Sequence, residues 1–189
     1  MCGMTLTRAR GRRLSLFAIL LAAMACDETN RTPVAPSPTD RVRDSAALFQ
    51  LITRTDPLTD YVLFPNAEEF TMGRLNGSEA HRSIVRVSMN ARPLGTLQNG
   101  RLPMAAQFPD GSIIFKEIRP RADAPVTMYA VMYKDAGNRL AGAGWLWAEF
   151  SPDGSAGYSV SNTGTACISC HQREQGRLND LVRTFERQR

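Results

Sequence analysis

The chain has 189 residues, of which 43% are hydrophobic and 22% charged, and its formal net charge at pH 7 is +5. Arg8, Arg10, Arg12 and Arg13 all precede an apolar stretch near the N-terminus, and removal of that segment would leave a net charge of +1. So small an excess of positive charge gives no indication of a nucleic-acid partner, and that class of function is excluded.

Residues 1–25 are predicted to be an export signal. The four arginines form its positive region, and Leu14 to Ala25 form a 12-residue apolar stretch that is too short to span a bilayer. Ala23-Met24-Ala25 is a small-x-small cleavage site that makes Cys26 the first residue after cleavage. The segment resembles a bacterial lipoprotein signal, which implies that Cys26 carries a lipid. Ordinary signal cleavage would instead leave Cys26 as a lone exported thiol.

The same resemblance predicts where the protein resides. Asp27, directly after Cys26, is similar to a signal for retention at the inner membrane in some bacteria. We therefore expect a periplasmic lipoprotein whose partner at this end is the inner membrane, reached through a lipid anchor.

A tether and one folded domain are predicted to follow the signal. Residues 26–44 include the stretch DETNRTPVAPSPTD, which is rich in proline and small polar residues and cannot bury a core. Residues 45–189 have the length of a single domain. The first element of this domain is a short helix over Ser45 to Thr53, where apolar residues recur at helical spacing.

Most of the domain is predicted to be β-structure. Residues 54–80 are broken by prolines and glycines and are expected to form a loop. Ser83 to Asn90 alternates between apolar and other residues, which indicates a strand. A Pro-Asp-Gly turn precedes the next strand, and residues 135–144 form a hairpin connection. The later strands are predicted at residues 112–118, 126–134, 144–150 and 157–161.

The most informative motif is Cys167-Ile168-Ser169-Cys170-His171, because Cys-x-x-Cys-His is the spacing that attaches c-type haem. Two thiols one helical turn apart reach the two vinyl groups of one porphyrin, and the adjacent imidazole becomes the proximal iron ligand. A redox Cys-x-x-Cys would normally open a helix after an early strand, and a zinc site needs about four ligands. Only His81 remains to join these three residues. The motif therefore indicates one haem c per chain.

This motif completes the predicted architecture. The Cys-x-x-Cys-His segment should form a helical turn, and Leu178, Leu181, Val182 and Phe185 indicate an amphipathic helix after it. The fold class is α+β but mainly β: an antiparallel sheet with short N- and C-terminal helices and haem c attached near the C-terminus.

Two classes of haem protein are excluded by position. Small helical electron-transfer cytochromes attach haem near the N-terminus and supply a downstream methionine ligand, but only 18 residues follow His171 and none is methionine. Four-helix cytochromes c-prime attach haem late in the chain, but their earlier segments are long amphipathic helices, which the strand patterns contradict.

The chain resembles the cytochrome P-460 family over roughly residues 80–186. The resemblance rests on EAHRSIVRVSMN, FPDGSIIFKE, YAVMYKD, GWLWAEF, TACISCH and NDLVRTF in this order. It implies a mainly β, usually dimeric protein with a five-coordinate haem c, so a homodimer is expected. In enzymatic members a lysine of the FPDG-x4-KE strand is bonded to the porphyrin edge, and Lys116 stands at the matching position. Those members oxidise hydroxylamine or handle nitric oxide, whereas the c-prime-beta members bind nitric oxide or carbon monoxide.

The residue pattern around Lys116 allows two orientations. Lys116 alternates with Ile114 and Ile118, so it can point to an apolar side of its strand, where a buried lysine tends to lose its proton and become a nucleophile. Alternatively, Ile113 and Phe115 face the core and Lys116 is solvated.

One departure from the family concerns proton transfer. Enzymatic members carry an acidic residue in the distal pocket, and its place falls near Ala130, on a predicted strand without Asp or Glu. A general base contributes roughly 10²–10⁴ in rate, so its absence argues against efficient hydroxylamine oxidation. An apolar pocket lined by Met128, Ala130, Met132 or Phe115 would instead suit gas binding.

Other residues have two interpretations each. His81 is a distal ligand or proton relay, or else a structural residue. Met128 and Met132 are iron ligands or core residues, and Trp145 and Trp147 pack against porphyrin or in the core. Two functions stay open: a redox enzyme acting on small nitrogen compounds, and a gas-binding or electron-carrying haem protein without turnover.

Overall fold

The computed structural model describes residues 42–55, 57–73 and 79–184. The predicted signal segment, Cys26 and most of the predicted tether lie outside the described residues. Within the described ranges, no helix combines the length and the apolar character needed to cross a bilayer.

The N-terminal helix forms as predicted. Helix α1 (Ser45–Gln50) continues into a π-helical turn (Leu51–Thr55). The side chain of Asp44 caps α1 by accepting a backbone N–H of its first turn at 2.7 Å, which satisfies a donor that has no partner inside the helix. Leu48 and Ile52 are fully buried, so the apolar spacing read from the sequence is the face that packs against the sheet.

A seven-stranded antiparallel sheet forms the body of the protein and confirms the mainly β class. The strand order is β1-β3-β4-β5-β6-β7, and β2 also pairs with β3. A short helix, α2, follows β3, and a second short helix, α3, follows β7. The elements are β1 (Val62–Leu63), β2 (Thr71–Met72), β3 (Ile84–Met89), α2 (Ala91–Leu94), β4 (Ile113–Arg119), β5 (Met128–Lys134), β6 (Trp145–Phe150), β7 (Ala156–Tyr158) and α3 (Thr165–His171).

The prediction of a loop over residues 54–80 is wrong at two places. Strands β1 and β2 each have two residues and both pair with β3. Elements this short have no alternating pattern of their own, and they exist because the neighbouring strand supplies the hydrogen bonds. A 3-10 turn at Glu79–His81 then leads into β3.

Both faces of the sheet are buried. We call the face that packs on α1 the helix face, and Ile113, Phe115 and Val131 belong to its core. The opposite face is the cavity face, and its core includes Ile114 and Ile118. Because alternate residues of β4 enter two different cores, apolar alternation alone could not decide which way Lys116 points.

The amphipathic helix predicted over residues 178–185 is wrong in its described part. A 3-10 helix covers Glu174–Leu178, and the chain then turns at Asp180 (φ 49°) and Leu181 (φ 68°). Left-handed backbone cannot continue a right-handed helix. Leu181 and Val182 nevertheless pack against the cavity-face core, so their apolar character reflects packing of an irregular segment. Phe185 lies outside the described residues.

Candidate haem-binding site

A cavity of about 870 Å³ lies between the cavity face of the sheet and the segment that runs from α3 to Thr184. This volume falls in the range of sites that hold a bound organic group. The three residues of the Cys-x-x-Cys-His motif and Lys116 all line it, together with further polar side chains. The polar lining includes His81, Lys116, Glu149, Cys167, Cys170 and His171.

Helix α3 presents the Cys-x-x-Cys-His segment to the cavity. Its N-terminal flanking residue, Gly164, has a φ of 72°, which favours glycine. A side chain at Gly164 would overlap the ring of Trp147, and one at Gly142 would overlap the backbone of Thr163. These two glycines let the start of α3 approach β6 closely. Cys167 and Cys170 are reduced thiols, both partly buried, and lie one helical turn apart.

The ring of His171 is held on two sides. Its Nδ1 lies 2.8 Å from the carbonyl oxygen of Leu181, and Trp147 packs edge-on at 4.9 Å between ring centroids and 76° between planes. A carbonyl oxygen can only accept a hydrogen bond, so the neutral ring carries its proton on Nδ1. The lone pair is then on Nε2, the arrangement that a metal ligand requires.

The thiol of Cys167 is held in its neutral form. Burial raises the pKa of Cys167 to about 11, and the negative charge of Glu149 acts in the same direction. A hydrogen bond from Tyr158 and the positive charge of Lys116 oppose this rise in pKa only in part. Metal binding requires the thiolate, whereas a thioether carries a neutral sulfur, so this environment suits a thioether. In the described part of the chain, no three His, Cys, Asp or Glu side chains are grouped to hold a bare metal ion.

Lys116 lies on the cavity side of β4. Its Nζ donates a hydrogen bond to the carbonyl of Ala80 at 3.1 Å and lies 2.7 Å from Nδ1 of His81. The inward orientation is therefore the one adopted, and the solvated alternative is not. The centroid of the His81 ring is 5.9 Å from that of His171, so His81 belongs to the cavity.

Glu149 is a cavity residue that the sequence analysis missed, and Glu68 is a second. Ala130 on β5 pairs with Lys116 on one side and with Glu149 of β6 on the other. Ala130 does leave β5 without an acid, but the neighbouring strand supplies a carboxylate to the same wall. The sequence of β6 could have indicated Glu149, because Trp145, Trp147 and Glu149 alternate along the strand and share one of its faces.

The predicted apolar lining is correct in part. Ala130, Met132 and Trp147 line the cavity. Phe115 does not line it, because odd-numbered residues of β4 enter the helix face, where Phe115 packs edge-on against Tyr61 at 5.8 Å between centroids. Trp145 lies in the core of the cavity face.

A family model described as Cytochrome P460 matches residues 72–184. The match covers more than half of the chain and includes His81, Lys116, Glu149 and the three residues of the Cys-x-x-Cys-His motif. Comparison with the curated proteins gave no significant match.

Proposed function

The chain belongs to the cytochrome P460 family, and we propose that it is an exported c-type haem protein that converts small nitrogen compounds. Haem is the cofactor of this family. In the proposal, Cys167 and Cys170 form thioether bonds to one haem per chain, and Nε2 of His171 binds its iron. The observation that carries the proposal is that these three side chains line one cavity with Nδ1 of His171 already hydrogen-bonded.

The bound haem would supply an iron centre for ligand binding and electron transfer. The chain's own residues would orient the iron ligand and limit the access of water. Trp147 and the Leu181 carbonyl orient the His171 ring. Met132 and Ala130 make the wall apolar, which limits the access of water and strengthens any electrostatic interaction inside. A small uncharged ligand such as hydroxylamine or nitric oxide fits such a wall.

Glu149 supports turnover rather than ligand binding alone. Oxidation of hydroxylamine releases electrons, which must pass to an external electron acceptor, and protons, which a carboxylate on the cavity wall can accept. Glu149 is half-buried and faces the same space as Cys167. The alternative function, binding of nitric oxide or carbon monoxide without turnover, is favoured by the small apolar side chain at Ala130.

We further infer that Lys116 forms a covalent bond to the porphyrin edge. Forming a C–N bond from one N–H and one ring C–H releases two protons and two electrons, so the reaction requires a two-electron oxidant such as a peroxide. The amine of Lys116 is held in place by Ala80 and His81, which removes much of the entropic barrier to bond formation. His81 is also placed to accept the proton that the ammonium group must lose.

Haem attachment is tested by producing the chain in a bacterium with a haem-attachment system and extracting the denatured protein with acidic acetone. Haem should remain with the wild type and with Lys116→Ala, and it should be lost from Lys116→Ala/Cys167→Ser/Cys170→Ser, in which the inferred lysine bond is removed together with both thioethers. Cys26→Ser is the matched control and should retain haem. Extraction of haem from the wild type would overturn the proposal. Hydroxylamine consumption by the holoprotein, measured with an added artificial electron acceptor, then separates turnover from nitric oxide binding alone.

We also propose that Cys26 carries a lipid that anchors the protein to the periplasmic face of the inner membrane, and that the protein is a homodimer. The cleavage site before Cys26 supports the anchor, and family membership supports the dimer. Cys26→Ser should move the protein from the membrane to the soluble fraction. Sedimentation of this soluble form should give the mass of two chains, and a single-chain mass would refute the dimer.

A further inference from the structure

We propose that the buried ion pair between Lys134 and Asp180 positions His171, acting through the carbonyl of Leu181. The inference rests on the proposed function, because it concerns the histidine that would bind iron. It makes Lys134 and Asp180 positioning residues, which touch neither the cavity nor a substrate.

The ion pair is almost completely shielded from solvent. Nζ of Lys134 lies 2.9 Å and 2.8 Å from the two carboxylate oxygens of Asp180. The side chains are 3% and 5% exposed. The ammonium group also lies 5.0 Å from the centre of the Trp145 ring, so two attractive contacts balance the loss of its hydration.

Asp180 is also held by two further hydrogen bonds, one to its side chain and one to its main chain. Its carboxylate accepts the backbone N–H of Phe108 at 2.9 Å, and its carbonyl accepts the indole N–H of Trp145 at 3.0 Å. Three separate parts of the fold thus hold this one residue: the end of β5, the start of β6 and the segment that precedes β4.

These contacts hold an unfavourable backbone. Asp180 and Leu181 both have positive φ, 49° and 68°, although neither is glycine and Leu181 is a bulky residue. Such conformations persist when the surrounding structure over-determines them. The result is that the carbonyl of Leu181 points at Nδ1 of His171 from 2.8 Å.

The position of the ion pair favours a role beyond stability. A buried ion pair is weak evidence for stabilisation, because apolar residues of similar volume often serve as well. This pair lies at the strained turn next to the carbonyl that bonds to the ligand histidine. An acceptor at Nδ1 fixes the tautomer and makes Nε2 a stronger donor to iron, and loss of such a partner typically changes metal binding about 10–100-fold.

The test uses purified holoprotein and compares Asp180→Asn with Asp123→Asn. Asp123 is a matched control, because it forms an exposed ion pair with Arg121. The readouts are the iron–imidazole stretching frequency of the ferrous protein by resonance Raman and the reduction potential. Asp180→Asn should lower the frequency and raise the potential, with a tenfold shift toward the ferrous form corresponding to about 59 mV for one electron. Asp123→Asn should match the wild type in both.

Asp180→Asn leaves Lys134 as a buried charge and can therefore prevent folding. Lys134→Met/Asp180→Asn removes both charges with side chains of similar size and should shift both readouts in the same direction. If either folded variant keeps the wild-type frequency and potential, even with a lower melting temperature, the pair has only a structural role and the inference is wrong. A wild type without any iron–imidazole vibration would instead overturn the proposed function itself.

Discussion

The close approach of α3 to β6 makes Gly164 a sensitive position. In Gly164→Ala the new methyl group would overlap the ring of Trp147, and the backbone φ of 72° disfavours any residue with a side chain. Gly95 provides a matched control: its φ is −66°, and an added methyl group would meet nothing nearer than the carbonyl oxygen of Arg92 at 3.8 Å. The same chemical change is thus made at a crowded, left-handed site and at an open, right-handed one.

The magnitude follows from two separate costs. A left-handed conformation costs an alanine about 1–2 kcal/mol, and displacing a packed aromatic ring costs about 1–3 kcal/mol. The free energy of unfolding of Gly164→Ala should therefore fall by about 2–5 kcal/mol, which lowers the melting temperature of a domain of this size by about 5–15 °C. Gly95→Ala should be neutral or raise the free energy of unfolding by about 0.4–1 kcal/mol, because it restricts the unfolded chain.

Thermal unfolding of the two variants, followed by far-ultraviolet circular dichroism, measures this difference. The fraction of chains that carry covalent haem is a second readout. It should fall in Gly164→Ala, because the displaced Trp147 also packs against His171. Equal melting temperatures for Gly164→Ala and Gly95→Ala would refute the argument that close packing at Gly164 sets the position of α3.

Three further outcomes are expected. Glu149→Gln should slow hydroxylamine oxidation by roughly 10²–10⁴ without changing carbon monoxide affinity. Glu69→Gln, a control at an exposed carboxylate, should leave the oxidation rate unchanged. Full activity in Glu149→Gln would assign proton transfer to another group. Peptide mapping should find that Lys116 is joined to haem and that Lys134, the other lysine of the chain, is unmodified. An unmodified Lys116 peptide would exclude the cross-link. In haem-free protein at pH 8, alkylation of Cys167 should be about 100-fold slower than in urea, because a pKa of about 11 instead of 9.0 lowers the thiolate fraction. Equal alkylation rates in the folded protein and in urea would contradict the burial of Cys167. The contribution of the neutral Cys167 thiol to the free energy of unfolding should persist below pH 9 and be lost towards pH 11.

The central strands and the helical turn of the Cys-x-x-Cys-His segment could be predicted because their signals are local. Strands β3 to β6 alternate or are rich in β-branched and aromatic residues, and the spacing of Cys167 and Cys170 matches one helical turn. Family resemblance added the inward orientation of Lys116, which alternation could not decide because both faces of β4 enter apolar cores.

The remaining features depend on contacts between distant residues. Asp180 breaks the expected C-terminal helix because its side chain bonds to Lys134, which is 46 positions away. Glu149 lies on β6, opposite Ala130, so the sequence of β5 alone contains no sign of it. Strand pairing determines which residue of β6 lies opposite Ala130, and a single sequence does not reveal that register.

The burial of both faces of the sheet has a consequence for how sequence change can accumulate in this protein. On β4 and β5 the even-numbered residues belong to the cavity face, and on β6 the odd-numbered residues do. The apolar residues at the remaining positions of these strands form the core of the helix face. A saturation mutagenesis screen that scores protein abundance and haem absorbance separately should therefore alternate with a period of two along each strand. The helix face can diverge or be redesigned for heat resistance while the chemistry of the opposite face is preserved.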